Sequence, residues 1–174
     1  FYAYSTEENE IIRLSKLNGL SDFGVSDISY SSSYHKLVIA YNNTNVDLLS
    51  DDMSIINISD IKRKNIPGNK RINNVTIDGR YAYLACGFGI VVIDLQRNEI
   101  KDTYFVGPTG VSEVYEVAFD ANFLYAAAED GVSRRRRLRA AGAFRLRQDH
   151  GPAHDRRARG RRFRPDPAGR QRHH

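Results

Sequence analysis

The stretch Val75-Thr76-Ile77-Asp78-Gly79-Arg80-Tyr81-Ala82-Tyr83-Leu84-Ala85-Cys86-Gly87-Phe88-Gly89-Ile90-Val91-Val92-Ile93 decides the fold. It holds three short runs rich in β-branched and aromatic residues, separated by Asp-Gly and Gly-x-Gly turn residues. Buried strands have this composition, and each run is too short for a buried helix. Asp78-Gly79 can supply the positive φ angles of a tight hairpin turn. The same pattern returns 42 residues later without a gap: Val75 aligns with Val117, Ile77 with Phe119, Asp78 with Asp120, Tyr83 with Tyr125 and Gly89 with Gly131. An earlier copy lies about 47 residues upstream, where Ile28 aligns with Val75 and Tyr30 with Ile77. A period of 40 to 50 residues is that of a propeller blade, a four-stranded antiparallel meander.

Working outward from that stretch, the reading is all-β, a partial β-propeller of about three four-stranded blades. Residues 25–30, 36–41, 46–49 and 54–58 form the first full blade. Residues 75–77, 81–86, 90–95 and 99–105 form the second. Residues 114–119 and 123–128 open a third, which is expected to break off at Val132. Residues 1–4 and 10–14 read as the outer half of a preceding blade. No segment shows 3.6-residue periodicity. Three blades do not close a ring, so the terminal blades are expected to expose apolar faces and strand edges, with poor solubility alone.

Charge divides the chain at the same place. The net charge of +5 averages two unlike pieces: residues 133–174 carry 15 Arg and 3 Asp, and residues 1–132 carry a net −7. The last 42 residues contain no Ile, Val, Thr, Tyr, Asn, Lys, Glu, Met or Cys. They are dominated by amino acids with GC-rich codons, whereas residues 1–132 favour those with AT-rich ones. Residues 1–132 therefore read as an incomplete propeller repeat region. Residues 133–174 read as a disordered Arg/Ala/Gly/Pro-rich tail, frameshifted or foreign. There is no apolar stretch of 18 residues, so no transmembrane segment is expected. No basic-then-apolar segment opens the chain, so a signal peptide is expected to be absent from it. A single cysteine leaves the redox compartment unconstrained.

The motifs favour no enzyme, and no catalytic, cofactor-binding or metal-ligating residue is assigned. Cys86 ends a strand and needs a His partner to act as a nucleophile. His35 alone lies in the propeller part, within the Ser33-Tyr34-His35-Lys36 turn. A buried structural cysteine and a solvated turn histidine are the expected roles. Asp51-Asp52 with Asp47 nearby lacks the ligand spacing of a calcium loop. Pro67-Gly68-Asn69-Lys70 lacks that of a phosphate loop. Sequons at Asn42, Asn57 and Asn74 carry no weight in an Asn-rich chain. Arg134 to Arg137, Arg156 and Arg157 predict nonspecific, salt-sensitive anion binding, with no stacking platform for specific nucleic-acid recognition. Between His150 and His154 stand Gly151 and Pro152, which disfavour the helix a metal pair with Asp155 nearby would need.

Leu17-Asn18-Gly19-Leu20-Ser21-Asp22, leading into Val25-Ser26-Asp27-Ile28, resembles a blade junction of the PorZ N-terminal β-propeller family of the Bacteroidota type IX secretion system. The resemblance continues through Leu37-Val38-Ile39-Ala40-Tyr41, Val46-Asp47-Leu48-Leu49, Ile56-Asn57-Ile58-Ser59-Asp60, Tyr81-Ala82-Tyr83-Leu84 and Gly87-Phe88-Gly89-Ile90-Val91. It covers nearly all of residues 1–132 and none of the tail. It implies an extracytoplasmic, non-enzymatic interaction module, in the periplasm or at the cell surface. The implied partners are sortase-like secretion proteins and an anionic lipopolysaccharide or other glycan, with no cofactor. It carries no catalytic motif onto this chain. The alternative is the periplasmic glycan-sensing propeller of a hybrid two-component regulator. Such sensors carry a tryptophan-bearing strand where this chain has Tyr81-Ala82-Tyr83-Leu84, and the chain has no Trp. A nucleic-acid-binding role lodged in the Arg-rich tail is a third option.

Overall fold

The computed structural model describes residues 2–6, 9–66, 68–107 and 110–136. The chain divides into units 1–139 and 140–174. Every described residue belongs to the first, so the expected disorder of the tail lies outside the described residues from 137 onward.

The first unit is built of antiparallel meanders. A two-stranded ribbon pairs β1 (Tyr2–Ser5) with β2 (Glu10–Arg13). The first blade follows as β3 (Val25–Ser31), β4 (Lys36–Tyr41), β5 (Val46–Ser50) and β6 (Ile55–Ile58), paired in chain order. One helical turn, α1 (Asp60–Arg63), leads to the second blade: β7 (Ile72–Asp78), β8 (Tyr81–Cys86), β9 (Gly89–Asp94) and β10 (Glu99–Tyr104). The third blade holds β11 (Val114–Phe119), β12 (Phe123–Ala128) and β13 (Gly131–Arg136). β3 lies beside β7, and β7 beside β11, so the first strand of each blade is its inner strand.

The repeat shows in the backbone as well as in side chains. Each inner strand carries a β-bulge at the same place, between Val25 and Asp27, between Ile72 and Asn74, and between Val114 and Glu116. A bulge adds one residue, bends the strand and raises its twist. The three bulges are offset by the same 47 and 42 residues as the sequence repeat.

Period-two alternation explains why the second blade reads as unbroken apolar runs. From β8, Ala82, Leu84 and Cys86 pack toward the first blade, with its Val38, Val46 and Leu48. Tyr81, Tyr83 and Ala85 pack toward the third, with Val114, Val117 and Leu124. β9 divides likewise, Val91 and Ile93 to one side, Ile90 and Val92 to the other. All residues of both strands are buried. At about 1.5–3 kcal/mol for each large aliphatic side chain, these two layers dominate the stability of the unit. A third cluster sets Leu14 and Leu20 against Ile39, Tyr41 and Leu49 on the front of the first blade.

Four details differ from the sequence reading. The β7–β8 turn is centred on Gly79 and Arg80, with Asp78 paired to Tyr81; Gly79 alone supplies a positive φ, at 56°. α1 and a 3₁₀ turn at Lys16–Asn18 were not expected, because one turn is too short to show periodicity. Lys70 caps α1, its Nζ donating to the carbonyls of Ile61, Lys62 and Lys64 at 3.2, 2.8 and 3.2 Å. The third blade does not break off at Val132, since β13 pairs with β12 as far as Arg136. A strand ladder is made by backbone groups that any non-proline residue supplies, so a shift in composition does not stop it.

Candidate interaction site

The junction quoted above is held by a carboxylate inside the first blade. Asp47 lies in the apolar run of β5 and is fully buried. Its Oδ2 accepts from the Tyr41 hydroxyl at 2.6 Å and from the Ser21 backbone N–H at 2.8 Å. Its Oδ1 accepts from Asn57 Nδ2 at 2.8 Å. Burial, then the Asp47 carboxylate, raises the Tyr41 pKa above its ordinary value. One residue along, Asp22 accepts from Lys62 Nζ at 2.6 Å and from Asn45 Nδ2 at 3.2 Å. The Lys62 hydrogen bond chiefly lowers the Asp22 pKa to about 2. Leu20, Ser21 and Asp22 thus bind the chain preceding β3 to β4, β5, β6 and α1. Buried charges persist where hydrogen bonds satisfy them. An aspartate between Val46 and Leu48 was the sequence signal for this network.

The acidic residues singled out by sequence therefore separate. Asp47 is interior, whereas Asp52 accepts from Ser54 N and Oγ at 3.0 and 2.6 Å in the β5–β6 turn. Asp51 instead meets His35, whose Nδ1 stands 2.9 Å from its Oδ2, and the Tyr30 hydroxyl donates to its Oδ1 at 3.1 Å. His35 is exposed, at φ 51° in its turn, so the solvated-turn reading omitted one specific partner. A hydroxyl-rich recess of about 460 Å³ opens beside Tyr30, lined by Ser29, Ser31, Ser33 and Thr76.

Cys86 faces the layer between the first and second blades, donates to the Leu84 carbonyl at 3.4 Å, and has its thiol pushed up to about 12 by burial. The structure does not bring His35 to it. Among the described residues, no group of three His, Cys, Asp or Glu side chains could hold a metal. Pro67 lies outside the described residues; Asn69 and Lys70 serve the turn into β7 and the end of α1. Asn57 spends its amide on Asn45, Val46 and Asp47.

At the outer rim, between β6–α1 on one blade and β9–β10 on the next, lies a groove of about 580 Å³. Its floor is Ile58, Ile61, Phe88 and Val91, and Phe105 stands half exposed at its edge. Gly87 and Gly89 make this packing possible. A Cβ on Gly87 would meet the Asn69 carbonyl oxygen at 2.5 Å, and one on Gly89, at φ 138°, would meet the Tyr104 oxygen at 2.3 Å.

Of the arginine run, Arg134 stands 4.5 Å over the Phe123 ring. Arg135 stands 4.6 Å over Tyr104 and donates to the Phe105 carbonyl at 3.0 Å. Arg137, Arg156, Arg157, His150, His154 and Asp155 lie outside the described residues.

Consecutive four-stranded meanders with adjacent inner strands and apolar layers between them define this unit as part of a β-propeller. The family model described as TSS9, PorZ, N-terminal beta-propeller domain matches residues 1–139. The chain belongs to that family. Among solved structures, PorZ of Porphyromonas gingivalis, described as an essential bacterial surface component of the type-IX secretion system, is similar at 32% identity and a TM-score of 0.68. That match covers 76% of this chain and 18% of the PorZ chain, so the present chain spans under a fifth of that protein's length. The dihydro-heme d1 dehydrogenase NirN shares the fold at 14% identity and a TM-score of 0.59, over 80% of this chain and 30% of its own. The extracellular domain of the hybrid two-component protein BT3049 from B. thetaiotaomicron does so at 15% identity and a TM-score of 0.50, over 67% of this chain and 17% of its own. No curated protein matches the sequence.

Proposed function

We propose that residues 1–132 act as a non-enzymatic interaction module of a PorZ-like type IX secretion component. The module works outside the cytoplasm, in the attachment of cargo to the cell surface and the delivery of anionic lipopolysaccharide to a sortase. The observation that carries this reading is the family match over residues 1–139. The geometry supports it: the polar groups of the first blade are tied to one another, which suits a rigid surface for recognition. No helix of the described residues is long and apolar enough to cross a membrane.

The test is deletion of the full-length gene in its source bacterium, followed by fractionation of secreted cargo. Cargo released to the medium or held in the periplasm, and restored to the surface by the wild-type gene, is the expected result. Cargo attachment unchanged by the deletion, with loss of a transcriptional response to a glycan, would move the assignment to a sensor propeller.

The Arg-rich segment from Ser133 is read as out of frame or foreign. Sequencing the coding DNA from Ala126 and translating all three forward frames tests this. Blade patterns resuming in another frame support it; an open Arg-rich frame with no propeller continuation elsewhere sinks it.

A further inference from the structure

We propose that the serine-lined recess between the inner strands of the first and second blades binds a neutral sugar residue of a glycan. The proposal rests on the reading of the unit as an interaction module and names a ligand class and a place for it.

The recess follows from the way the repeat varies. Ile28 aligns with Val75, so Ser29 aligns with Thr76. Ser29 pairs with Val38 and Thr76 with Tyr83, which makes Val38 the counterpart of Tyr83. Ile77 is likewise the counterpart of Phe119. Between the second and third blades the Tyr83 and Phe119 rings meet at 4.7 Å and fill the interface. Between the first and second blades the same places hold the smaller Val38 and Ile77, and a recess of about 460 Å³ opens beside Ile77. Small-ligand sites span about 300–1,000 Å³.

Its two walls differ in chemistry. Successive residues of β3 alternate in direction, so Ser29 and Ser31 share the face from which Asp27 Oδ2 reaches the Val75 N–H at 2.7 Å. Both therefore face the second blade. Ser32 and Ser33 extend this wall into the β3–β4 turn. Opposite stand the aliphatic side chains of Val75 and Ile77. Ser31 is 3% exposed, yet its hydroxyl has no hydrogen-bond partner among the described residues. Buried hydroxyls are ordinarily satisfied, so this one calls for a partner from outside the fold. The hydroxyls of Ser29, Ser32 and Ser33 are also without a protein partner among the described residues.

Charge narrows the ligand class. Among the described residues that line the recess there is no carboxylate, lysine, arginine or histidine. A phosphate or a uronate would enter without a counter-charge. A neutral sugar suits both walls, with its hydroxyls toward the serines and its C–H face on Val75 and Ile77. Its hydroxyls also reproduce the hydrogen bonds of the water they displace. The walls are pre-formed: Asp27 ties β3 to β7, and Asp51 holds Tyr30 and His35 on either side of the serine turn.

Titration of the isotope-labelled full chain with maltose, lactose and mannobiose, read by amide chemical shifts, tests the proposal. Digalacturonate is the acidic comparison. At least one neutral disaccharide is expected to shift the amides of Ser31, Ser33 and Gly79 and to saturate below about 10 mM. Digalacturonate should bind at least about tenfold more weakly. Ser31→Ala should weaken the neutral sugar about fivefold and leave the urea midpoint unchanged, since the hydroxyl has no partner in the fold to lose. Ile77→Phe installs the residue that the third blade carries at this place and should abolish binding. No shift with any of the three neutral sugars leaves water as the occupant and overturns the proposal. Shifts confined to other amides, equal or tighter binding of digalacturonate, a urea midpoint lowered by Ser31→Ala, or indifference to both substitutions overturn it as well. Failure here leaves the cargo-attachment result standing, and unchanged cargo attachment on gene deletion would sink the secretion reading without altering these affinities.

Discussion

β8 and β12 occupy the same place in successive repeats, yet every residue of β8 is buried and β12 alternates between buried and open positions. Their sequences, Tyr81-Ala82-Tyr83-Leu84-Ala85-Cys86 and Phe123-Leu124-Tyr125-Ala126-Ala127-Ala128, are nearly equal in apolar content. The difference comes from their neighbours. β8 stands between two blades, so both rows of its side chains enter an apolar layer. β12 presents Leu124, Ala126 and Ala128 to the second blade, and no described blade lies against Phe123, Tyr125 and Ala127. Burial in a repeat array is thus a property of the interface between repeats, as nearest-neighbour stability requires.

Equivalent glycines give the largest expected contrast. Gly89 and Gly131 both have positive φ, at 138° and 121°, but an added Cβ meets the Tyr104 carbonyl oxygen at 2.3 Å in one case and nothing within 4 Å in the other. Gly89→Ala should cost about 4 kcal/mol or more, because a backbone atom cannot yield as a side chain can. Gly131→Ala should cost about 1–2 kcal/mol, from the backbone conformation alone. Urea midpoints of the two variants measure the gap, and equal losses would break the comparison.

Tyr83 and Tyr125 sharpen it. Tyr83 is 4% exposed and packs 4.7 Å from the Phe119 ring across the interface between blades. Tyr125 is half-buried and donates to Asp120 Oδ2 at 2.7 Å in its own hairpin. Tyr83→Ala should lose about 3–5 kcal/mol, as large aromatic truncations in cores do. Tyr125→Ala should lose much less, since its hydrogen bond to Asp120 is exposed to solvent. The order of the two urea midpoints decides; a larger loss at Tyr125 would mean its outer face is covered.

In the first blade the interior carries a charge, so a different penalty applies. Asp47→Ala leaves the Tyr41 hydroxyl and the Ser21 N–H without their acceptor, and should cost about 2–3 kcal/mol, whereas the Asn57 amide keeps Asn45 and Val46 as acceptors. Asp47→Asn retains an acceptor oxygen and should cost less. Hydrogen exchange at Ser21 reports the local effect, and unchanged protection in Asp47→Ala would remove Asp47 as the anchor of the junction.

The repeat, its strands and the apolar layers were legible because alternation and turn residues are local signals. Tyr81 to Cys86, with Gly87 and Gly89, announced both the hairpin and its burial. The groove was not legible, since it joins Ile58 and Ile61 of one blade to Phe88 and Val91 of the next, and no local pattern records which faces meet. His35 and Asp51 were each visible, but the hairpin register between β4 and β5 makes them partners, with Lys36 opposite Ser50. The role of Lys70 was hidden for the same reason: its α1 acceptors are backbone carbonyls, which leave no mark in sequence.

The smallest effect concerns pH, and it falls on the β11–β12 hairpin of the third blade. Asp120 sits at the position of Asp78 in the repeat and accepts from the Tyr125 hydroxyl and from the backbone N–H groups of Asn122 and Phe123, each at 2.7 Å. The Tyr125 hydrogen bond, followed by the two backbone donors, holds its pKa below the usual carboxylate value of 3.8. A depressed folded-state pKa stabilises above the unfolded value and is lost as pH falls through the folded one. The β11–β12 hairpin should therefore keep its protection down to about pH 4 and lose it progressively below. Tyr125→Phe removes the largest contributor and should flatten that loss, because the folded pKa moves back toward 3.8. Amide exchange at Asn122 and Phe123, followed from pH 6 to pH 3 and corrected for intrinsic rates, measures it. The same profile in wild type and Tyr125→Phe would mean that the carboxylate is held by the turn backbone alone.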